Sequence, residues 1–293
     1  MKTFLKTVVK YGLYPFLLLS VVVVAWSAIS LKWDYKFVYG VTTLALVISL
    51  ILIETLVPLS RNWKMTKQSF FRDIKYIGVD IVVISLMQSA FGVVAIYYSE
   101  NVRGLFTNTP VVLAVVGYLL VYEFFQYWMH RYYHEGKGPL GRFLGNAHLA
   151  HHLPDKVYVV MHAVFNPINA FISVIVVQTP LILLGIPPAA AFAASLLIDL
   201  QSAVSHFNVD IRAGFLNYIF IGTETHRYHH SADGKGAMNY GNTLSIWDIV
   251  FGTFYYKPNS IPKRLGVDDP VQFPDSRNLW QVVTYPLRNL RAG

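Results

Sequence analysis

The sequence has no cysteine and few charged side chains among its 293 residues. Without a thiol, the chain cannot form a disulfide, ligate an iron–sulfur cluster or bind a metal through sulfur. Charged residues make up 14% of the sequence and hydrophobic residues 54%, whereas about 25% charged residues are typical of soluble domains. This composition excludes a soluble globular protein and predicts an integral membrane protein.

The pattern of the charges excludes one class of partner. The formal net charge is +8, yet the sequence has no run of five or more like charges. Dispersed positive charge of this kind is typical of membrane topology signals and of attraction to lipid surfaces, so no nucleic-acid partner is expected. The sequence also lacks an internal repeat, a low-complexity segment and a flavin or nicotinamide fingerprint.

Four apolar stretches are long enough to cross a bilayer, which takes about 20 residues. They run over about residues 11–30, 37–60, 76–98 and 111–129. A signal peptide is the alternative for the first stretch, but its length exceeds the ~7–15 apolar residues of a signal peptide. A first transmembrane helix is therefore predicted, with Lys2, Lys6 and Lys10 holding its N-terminus in the cytoplasm.

Residues 61–75 carry the strongest cytoplasmic signal of the chain, because five basic side chains accompany one acidic side chain there. Trp63, Phe70 and Phe71 alternate with these charges. This mixture predicts an amphipathic helix that lies on the inner membrane surface.

Residues 167–206 form two apolar arms of about 18 residues around a Gly-Ile-Pro-Pro tip. They form either a hairpin of two full spans or a shallower re-entrant hairpin. In both cases the chain returns to the same side, so an even number of crossings puts both termini and every histidine in the cytoplasm. From Asp210 onward the sequence predicts a cytoplasmic cap, with a weakly structured tail from about Lys257. The predicted fold class is all-α, a membrane bundle of about four transmembrane helices plus the hairpin, with a histidine-rich cap.

All ten histidines lie between residues 130 and 230. Residues 148–152 and 226–230 both read H-x-x-H-H, and residues 130–134 read H-x-x-x-H. On a helix, positions i, i+3 and i+4 share one face. Neutral imidazole is the commonest metal ligand, and ten imidazoles exceed what one ion binds, so two metal ions are predicted. The candidate ligands are His130, His134, His148, His151, His152, His162, His206, His226, His229 and His230.

Imidazole binds zinc, copper, iron and nickel alike, so the residue types do not identify the metal. The order of the three boxes, with an apolar hairpin between the second and third, resembles the fatty acid hydroxylase/sterol desaturase superfamily. The resemblance covers about residues 110–256 and is closest to the sterol-desaturase-like branch. Beyond the boxes it is carried by Ser205-His206-Phe207-Asn208, Asn239-Tyr240-Gly241-Asn242 and the segment Trp247-Asp248-Ile249-Val250-Phe251-Gly252-Thr253-Phe254.

This resemblance implies a membrane-bound enzyme with two iron ions and O2 as co-substrate, in which zinc could replace iron in purified material. The expected reaction is hydroxylation or desaturation of a C–H bond in a lipid such as a fatty acyl chain, a sterol or an isoprenoid. It also divides the chain into an N-terminal transmembrane region (1–109), a catalytic domain (110–256) and a cytoplasmic tail (257–293).

The sequence departs from the family pattern at one position. Relatives often have a His-Pro pair shortly after the second box, where this chain has Asn166-Pro167. His162 lies four residues earlier and could supply the absent imidazole; otherwise the site has one ligand fewer.

Several polar side chains are candidates for orienting the imidazoles, a function that metal sites usually assign to hydrogen-bonding neighbours. Glu123 and Asp199 stand out, because acids inside apolar spans are costly and usually functional. Glu54 falls under the same rule, but no histidine is near it in sequence. The candidates are Glu123, Asn166, Asp199, Glu224, Asp233, Asn242 and Asp248. No catalytic residue beyond the metal ligands is predicted.

Two other functions fit a histidine-rich membrane protein, namely metal transport or storage and a non-catalytic homologue that binds zinc. Transporters usually place their ligands within the spans near the midplane, whereas these histidines lie at or beyond helix ends. An enzyme of this type needs an external electron donor, such as a ferredoxin or a small haem protein with its reductase. The donor is expected to dock on the basic face near Arg131, Lys137, Arg142 and Arg227.

Overall fold

The computed structural model describes residues 2–232 and 238–288, and within these ranges the protein is all-α, as predicted, with no β-strand. The helices are α1 (Lys2–Ser30), α2 (Tyr35–Leu56), α3 (Lys67–Asn101), α4 (Val111–Glu135), α5 (Gly138–His152), α6 (Pro167–Leu183), α7 (Pro188–Ser205), α8 (Thr223–His229), α9 (Ile246–Val250) and α10 (Leu279–Arg288). Four short 3-10 turns lie at Arg61–Trp63, Val159–Ala163, Gly214–Tyr218 and Pro270–Gln272.

Five of these helices are long and apolar enough to cross a membrane, namely α1, α2, α3, α4 and α7, and α6 is a shorter apolar helix. The prediction of a multi-pass membrane bundle is therefore confirmed. The second span ends at Leu56, four residues before the predicted Ser60. Pro58 explains the difference, because the residue before a proline is sterically driven out of the helical region.

The amphipathic surface helix predicted for residues 61–75 is wrong. No separate helix forms over these residues: a 3-10 turn lies at Arg61–Trp63, and α3 then begins at Lys67 and continues without a break to Asn101. Thr66 and Ser69 start α3 with a capping box, in which each side chain accepts a hydrogen bond from the other residue's backbone N–H. Lys67, Arg72 and Lys75 thus lie in the first turns of a membrane helix, and Arg61 and Lys64 precede it.

Both ends of the bundle can be followed through contacts between loops. At the histidine end, the ammonium of Lys10 in α1 lies 3.0 Å from a carboxylate oxygen of Asp210. At the far end, the backbone N–H of Phe106 in the α3–α4 loop donates to the carbonyl of Leu184 at the tip of the α6–α7 hairpin (2.8 Å). A Cβ on Gly104 would lie 2.3 Å from the nitrogen of Gly185, so the two backbones touch. The hairpin reaches the depth of that loop, which favours two full crossings over a shallow re-entrant hairpin.

The weakly structured tail predicted from Lys257 contains nothing longer than a 3-10 turn up to residue 278, but a helix, α10, forms over Leu279–Arg288. Helix α10 packs against α5 and α3, and its Val282 is buried beside Tyr76 of α3 and Ala150 of α5. Further up the tail, the N–H of Gly266 donates to the carbonyl of His230 (2.9 Å). The C-terminal segment therefore covers the helices that carry the histidines.

Candidate metal centre

Helix ends carry nine of the ten histidines into one region of the protein. His130 and His134 lie in the last two turns of α4, and the second box forms the last turn of α5. A sharp turn joins these helices, since a Cβ on Gly141 would lie 2.2 Å from the carbonyl carbon of Gly136. His206 follows the end of α7, and the third box occupies α8 and the residue after it.

These nine imidazoles form two adjacent groups, and within each group the ligand nitrogens all lie within 4.8 Å of one another. Centre one consists of His130, His134, His148, His152 and His229. Centre two consists of His151, His206, His226 and His230. The rings of His152 and His230 stack across the boundary with their centroids 4.4 Å apart, so the two centres share a wall.

The tautomer of several imidazoles is set by a neighbouring carbonyl. In centre one, Nδ1 of His130 donates to the backbone carbonyl of Tyr240 (2.7 Å), and Nδ1 of His148 donates to the side-chain carbonyl of Asn169 (2.8 Å). In centre two, Nδ1 of His151 donates to the carbonyl of Val164 (3.1 Å). Since a carbonyl oxygen only accepts, each Nδ1 carries the proton and each Nε2 carries a lone pair.

These Nε2 atoms face one another and further imidazole nitrogens at short distance. In centre one, Nε2 of His148 lies 3.0 Å from Nε2 of His130 and 3.0 Å from Nε2 of His152. In centre two, Nε2 of His206 lies 3.0 Å from that of His151 and 3.1 Å from that of His226. Two nitrogens that both carry lone pairs cannot form a hydrogen bond, but they can share a cation. Metal–nitrogen bonds of about 2.1 Å at right angles would separate neighbouring nitrogens by about 3.0 Å, so the spacing fits a metal ion in each centre.

The protonation state of the boxes also suits metal binding. Burial, followed in size by the repulsion of neighbouring imidazoles, lowers the pKa of His152, His226 and His229 well below the ordinary range. These side chains are therefore neutral at physiological pH, and a neutral imidazole is the form that binds a metal.

Glu123 and Asp248 orient His130 indirectly, by holding the loop of residues 240–243. Both side chains are fully buried. Glu123 accepts from the N–H groups of Asn242 (2.5 Å) and Thr243 (3.1 Å). Asp248 accepts from the N–H groups of Tyr240 (2.8 Å) and Gly241 (2.7 Å). Together they hold residues 240–243, whose Tyr240 carbonyl orients His130.

The other predicted orienting residues have different partners. Glu224 accepts from Arg212 (3.1 Å) and from Asn217 (2.8 Å), which fixes the chain before α8. Asp199 accepts from Thr43 of α2 (3.0 Å). Asn242 donates to the Tyr122 hydroxyl (3.0 Å).

Asn166, the expected departure from the family pattern, points away from both centres. Its side chain accepts from the N–H of Ile168 at the start of α6 and donates to the carbonyls of Val282 and Val283 in α10. Among the described residues it makes no hydrogen bond to a histidine. Asp233 lies outside the described residues.

His162 belongs to neither group. Its Nδ1 donates to the carbonyl of Val159 (2.6 Å) within a 3-10 turn, and the side chain lines the cavity beside the two centres. It therefore lies close to the centres without entering either group of converging nitrogens.

Two contributors to the site were missed by sequence reasoning, and a third, Glu54, was noticed but given no role. Asn169 fixes the tautomer of His148, and the Tyr240 carbonyl does the same for His130. Glu54 accepts from the N–H groups of Val159 (3.0 Å) and Asn208 (2.9 Å), so it joins α2 to the segments that carry His162 and His206. The sequence signal for Glu54 was its position as an acid inside an apolar span. The Tyr240 carbonyl has no sequence signal, because every residue type has a backbone carbonyl.

Two cavities reach the centres from different directions. The first, of about 160 Å3, lies between α4, α6 and α7 and is lined by histidines of both centres. Its other wall residues include Tyr122, Gln126, Phe165, Ser173, Val177 and Ser202. The second, of about 340 Å3, is more open, and it reaches His134, His152 and His229 of centre one past Asp268, Asp269 and Phe273.

Comparison with known proteins gives the following matches. Residues 115–253 match the fatty acid hydroxylase family model. An ornithine lipid hydroxylase of Rhizobium tropici is 29% identical over 249 residues, which cover 80% of this chain and 72% of that protein.

Two plant proteins match over a shorter range. Methylsterol monooxygenases 1-1 and 1-2 of Arabidopsis thaliana are 26% identical over 160 residues and 25% identical over 156 residues. These matches cover 50% and 49% of this chain, and 48% and 47% of the plant proteins. No solved structure matches the chain significantly.

Proposed function

Because the chain belongs to the fatty acid hydroxylase/sterol desaturase superfamily, we propose that it is an O2-dependent oxidoreductase that hydroxylates a C–H bond of a membrane lipid. The similar proteins are named as a lipid hydroxylase and as monooxygenases, which favours hydroxylation over desaturation. We assign the reaction to residues 110–256, which contain the family match and all ten histidines.

The observation that carries this proposal is the pair of histidine centres whose Nε2 atoms converge at 3.0–3.1 Å. Centre one gathers five imidazoles, more than the three or four ligands that zinc takes in proteins. Iron accepts higher coordination numbers, and imidazole suits it. We therefore propose one iron ion in each centre, held by the nine converging histidines. When bound, the two ions would supply the reduction of O2 and the oxidation of the C–H bond.

The cavity of about 160 Å3 is the proposed place of the reacting carbon. Its wall includes His130 and His148 of centre one together with His151, His206 and His226 of centre two, so a carbon there would lie against both centres. Phe165 and Val177 supply apolar wall, which excludes water from that side. Because α4, α6 and α7 surround the cavity, we propose that the lipid enters it from the bilayer.

The histidine end of the bundle is proposed to face the cytoplasm, with both termini on that side. Lys10 of α1 and the basic start of α3 lie at this end, and positive charge flanking membrane helices favours the cytoplasm. Reporter tags fused after residue 293 and before residue 1 should both show a cytoplasmic location. A tag on the α3–α4 loop should show the opposite side, and a C-terminal tag outside the cytoplasm would contradict this orientation.

The electron donor is proposed to dock on the face that carries Arg131, Lys137 and Arg142. Arg227, which we expected on this surface, is 2% exposed. Its guanidinium donates to the backbone carbonyls of Phe207 (3.0 Å) and Val209 (2.7 Å), so it holds the chain after α7 and cannot contact a partner. His134 of centre one is exposed at the same helix end, which gives electrons a short route to the metal.

Purified, iron-replete protein should contain about two metal ions per chain, one for each centre. Given a reductant and membrane lipids, it should transfer one atom of isotopically labelled O2 into a lipid, as measured by mass spectrometry. Desaturation would instead remove two hydrogens without incorporating the label. Protein stripped of metal, and protein kept without O2, are the controls. A metal content of one or none with intact boxes, or turnover without O2, would contradict the proposal.

A further inference from the structure

A cationic groove lies away from the histidine centres, where the start of α3 meets the segment that precedes α10. It is lined by Lys67, Gln68, Phe71, Arg72, Lys75 and Arg277, and its volume is about 290 Å3. Four of these six side chains are positively charged, and no carboxylate or histidine lines the groove. This concentration of positive charge indicates an anionic ligand.

Arg72 forms the buried part of the groove and is held in place. It is 7% exposed, its Nε donates to Asp73 (2.7 Å), and its Nη2 donates to the Tyr158 hydroxyl (2.6 Å). Tyr158 in turn donates to the second oxygen of Asp73. A guanidinium fixed in this way loses little side-chain entropy when it binds a planar or tetrahedral anion.

The charges around the groove are not balanced. Asp73 compensates Arg72, and Asp275 forms two hydrogen bonds of 3.0 Å with Nε of Arg277. Within the described part of the chain, Lys67 and Lys75 form no ion pair. The groove therefore keeps about two positive charges, enough to neutralise the single negative charge of a phosphodiester.

The position of the groove along α3 corresponds to the lipid headgroups. Beside the groove and immediately beyond it, α3 exposes a series of large apolar side chains suited to lipid, namely Ile74, Ile81, Val82 and Leu86. Phe71, in the groove wall, is 63% exposed. Basic residues directly flanking an apolar membrane helix lie at the level of the phosphates.

Helix α10 independently supports the position of the groove at the depth of the lipid headgroups. Its Val282 and Pro286 are buried against the protein, whereas Trp280 and Leu287 are 69% and 55% exposed. A short helix with one face packed and exposed apolar side chains on the other is typical of a membrane surface, and tryptophan prefers the headgroup region. Arg277, at the groove, lies three residues before Trp280.

We propose that this groove binds the phosphate headgroup of an anionic phospholipid. Arg72, Lys67, Lys75 and Arg277 surround the phosphate, and the acyl chains lie along the exposed apolar face of α3. The bound lipid would connect the start of α3 with α10 and so attach the C-terminal segment to the membrane. This site is separate from the reaction cavity, so the inference does not depend on the proposed function.

The test uses the full-length protein in phosphatidylcholine nanodiscs that contain a small fraction of phosphatidylglycerol. Native mass spectrometry then counts the phosphatidylglycerol molecules retained after the nanodisc is removed. The variant Lys67→Gln/Lys75→Gln is compared with Lys257→Gln/Lys263→Gln, which removes the same charge at two exposed lysines outside the groove. The far-UV circular dichroism spectrum verifies that each variant is folded.

We expect the wild type and the control variant to retain one phosphatidylglycerol in preference to phosphatidylcholine, and the groove variant to lose this preference by about tenfold. Equal retention by both variants, or an equal loss in both, would overturn the proposal. Competition with inorganic phosphate distinguishes a phospholipid headgroup from free phosphate as the ligand. If millimolar phosphate displaces the phospholipid completely, the groove is a general phosphate site and the lipid assignment fails.

Discussion

Replacing His148 or His229 with alanine is expected to abolish lipid oxidation, with a loss of at least about a hundredfold, and to remove the metal from centre one. His148 lies at the middle of that centre, since its Nε2 is 3.0 Å from both His130 and His152. His229 closes the other side, 3.1 Å from His152. Metal analysis of the purified variants should give about one ion per chain, because the four nitrogens of centre two are unchanged.

His162→Ala is the matched control, because it removes an imidazole from the cavity that His148 lines but from neither group. We expect this variant to keep both metal ions and to lose at most about tenfold in activity, as for a residue in the cavity wall. The two results are independent. Full metal and activity in His229→Ala would contradict the proposed ligand set. Loss of an ion in His162→Ala would instead make His162 the tenth ligand, the role that the Asn166-Pro167 departure suggested.

The division of the boxes between two centres could not be predicted from their spacing. In H-x-x-H-H, the two histidines at i and i+4 go to one centre and the one at i+3 goes to the other. Thus His148 and His152 belong to centre one and His151 to centre two, while His226 and His230 belong to centre two and His229 to centre one. Neighbouring residues of a helix point about 100° apart, so one helical face can supply two adjacent sites. The spacing predicts the shared face but not the number of sites that it meets.

Long apolar stretches were predictable because a membrane span needs about 20 apolar residues whatever it packs against. Contacts between distant segments were not. Arg72 and Asp73 belong to a basic segment in sequence, yet they are buried against Tyr158, about 85 residues later. Helix α10 is short and contains Pro286, so its stability comes from packing on α5 and α3 instead of intrinsic helix propensity.

Among the residues that orient the imidazoles, some carry a signal in the sequence and others do not. Asp248 carried a visible signal, a carboxylate in the family-like segment, but the atom that reaches His130 is the Tyr240 carbonyl, and any residue type provides a carbonyl. The sequence therefore pointed to the carboxylate that supports the loop and not to the contact that sets the tautomer. Asn169 does contact an imidazole directly, but the sequence does not mark it, because an asparagine in the first turn of a helix has many ordinary functions.

Asp248→Ala is expected to destabilise the protein strongly and to empty centre one without changing a metal ligand. The carboxylate is fully buried and accepts from three donors, the N–H groups of Tyr240 and Gly241 and the hydroxyl of Thr253 (2.6 Å). Alanine would leave these donors unpaired, which costs about 1–3 kcal/mol for each buried group. We therefore expect the free energy of unfolding to fall by about 3–5 kcal/mol, with Tyr240 released from His130.

The measurements are thermal unfolding in detergent and metal content after purification, with two comparison variants. Asp155→Ala makes the same substitution at an exposed position and should change the free energy of unfolding by no more than about 0.5 kcal/mol. Asp248→Asn keeps one acceptor oxygen but turns an amide N–H2 group toward the remaining backbone donor, so its stability and metal content should lie between those of the wild type and Asp248→Ala. If Asp248→Ala unfolds at the same temperature as the wild type and keeps both ions, the 240–243 loop does not position His130. The tautomer of that imidazole would then have to be set by the metal alone.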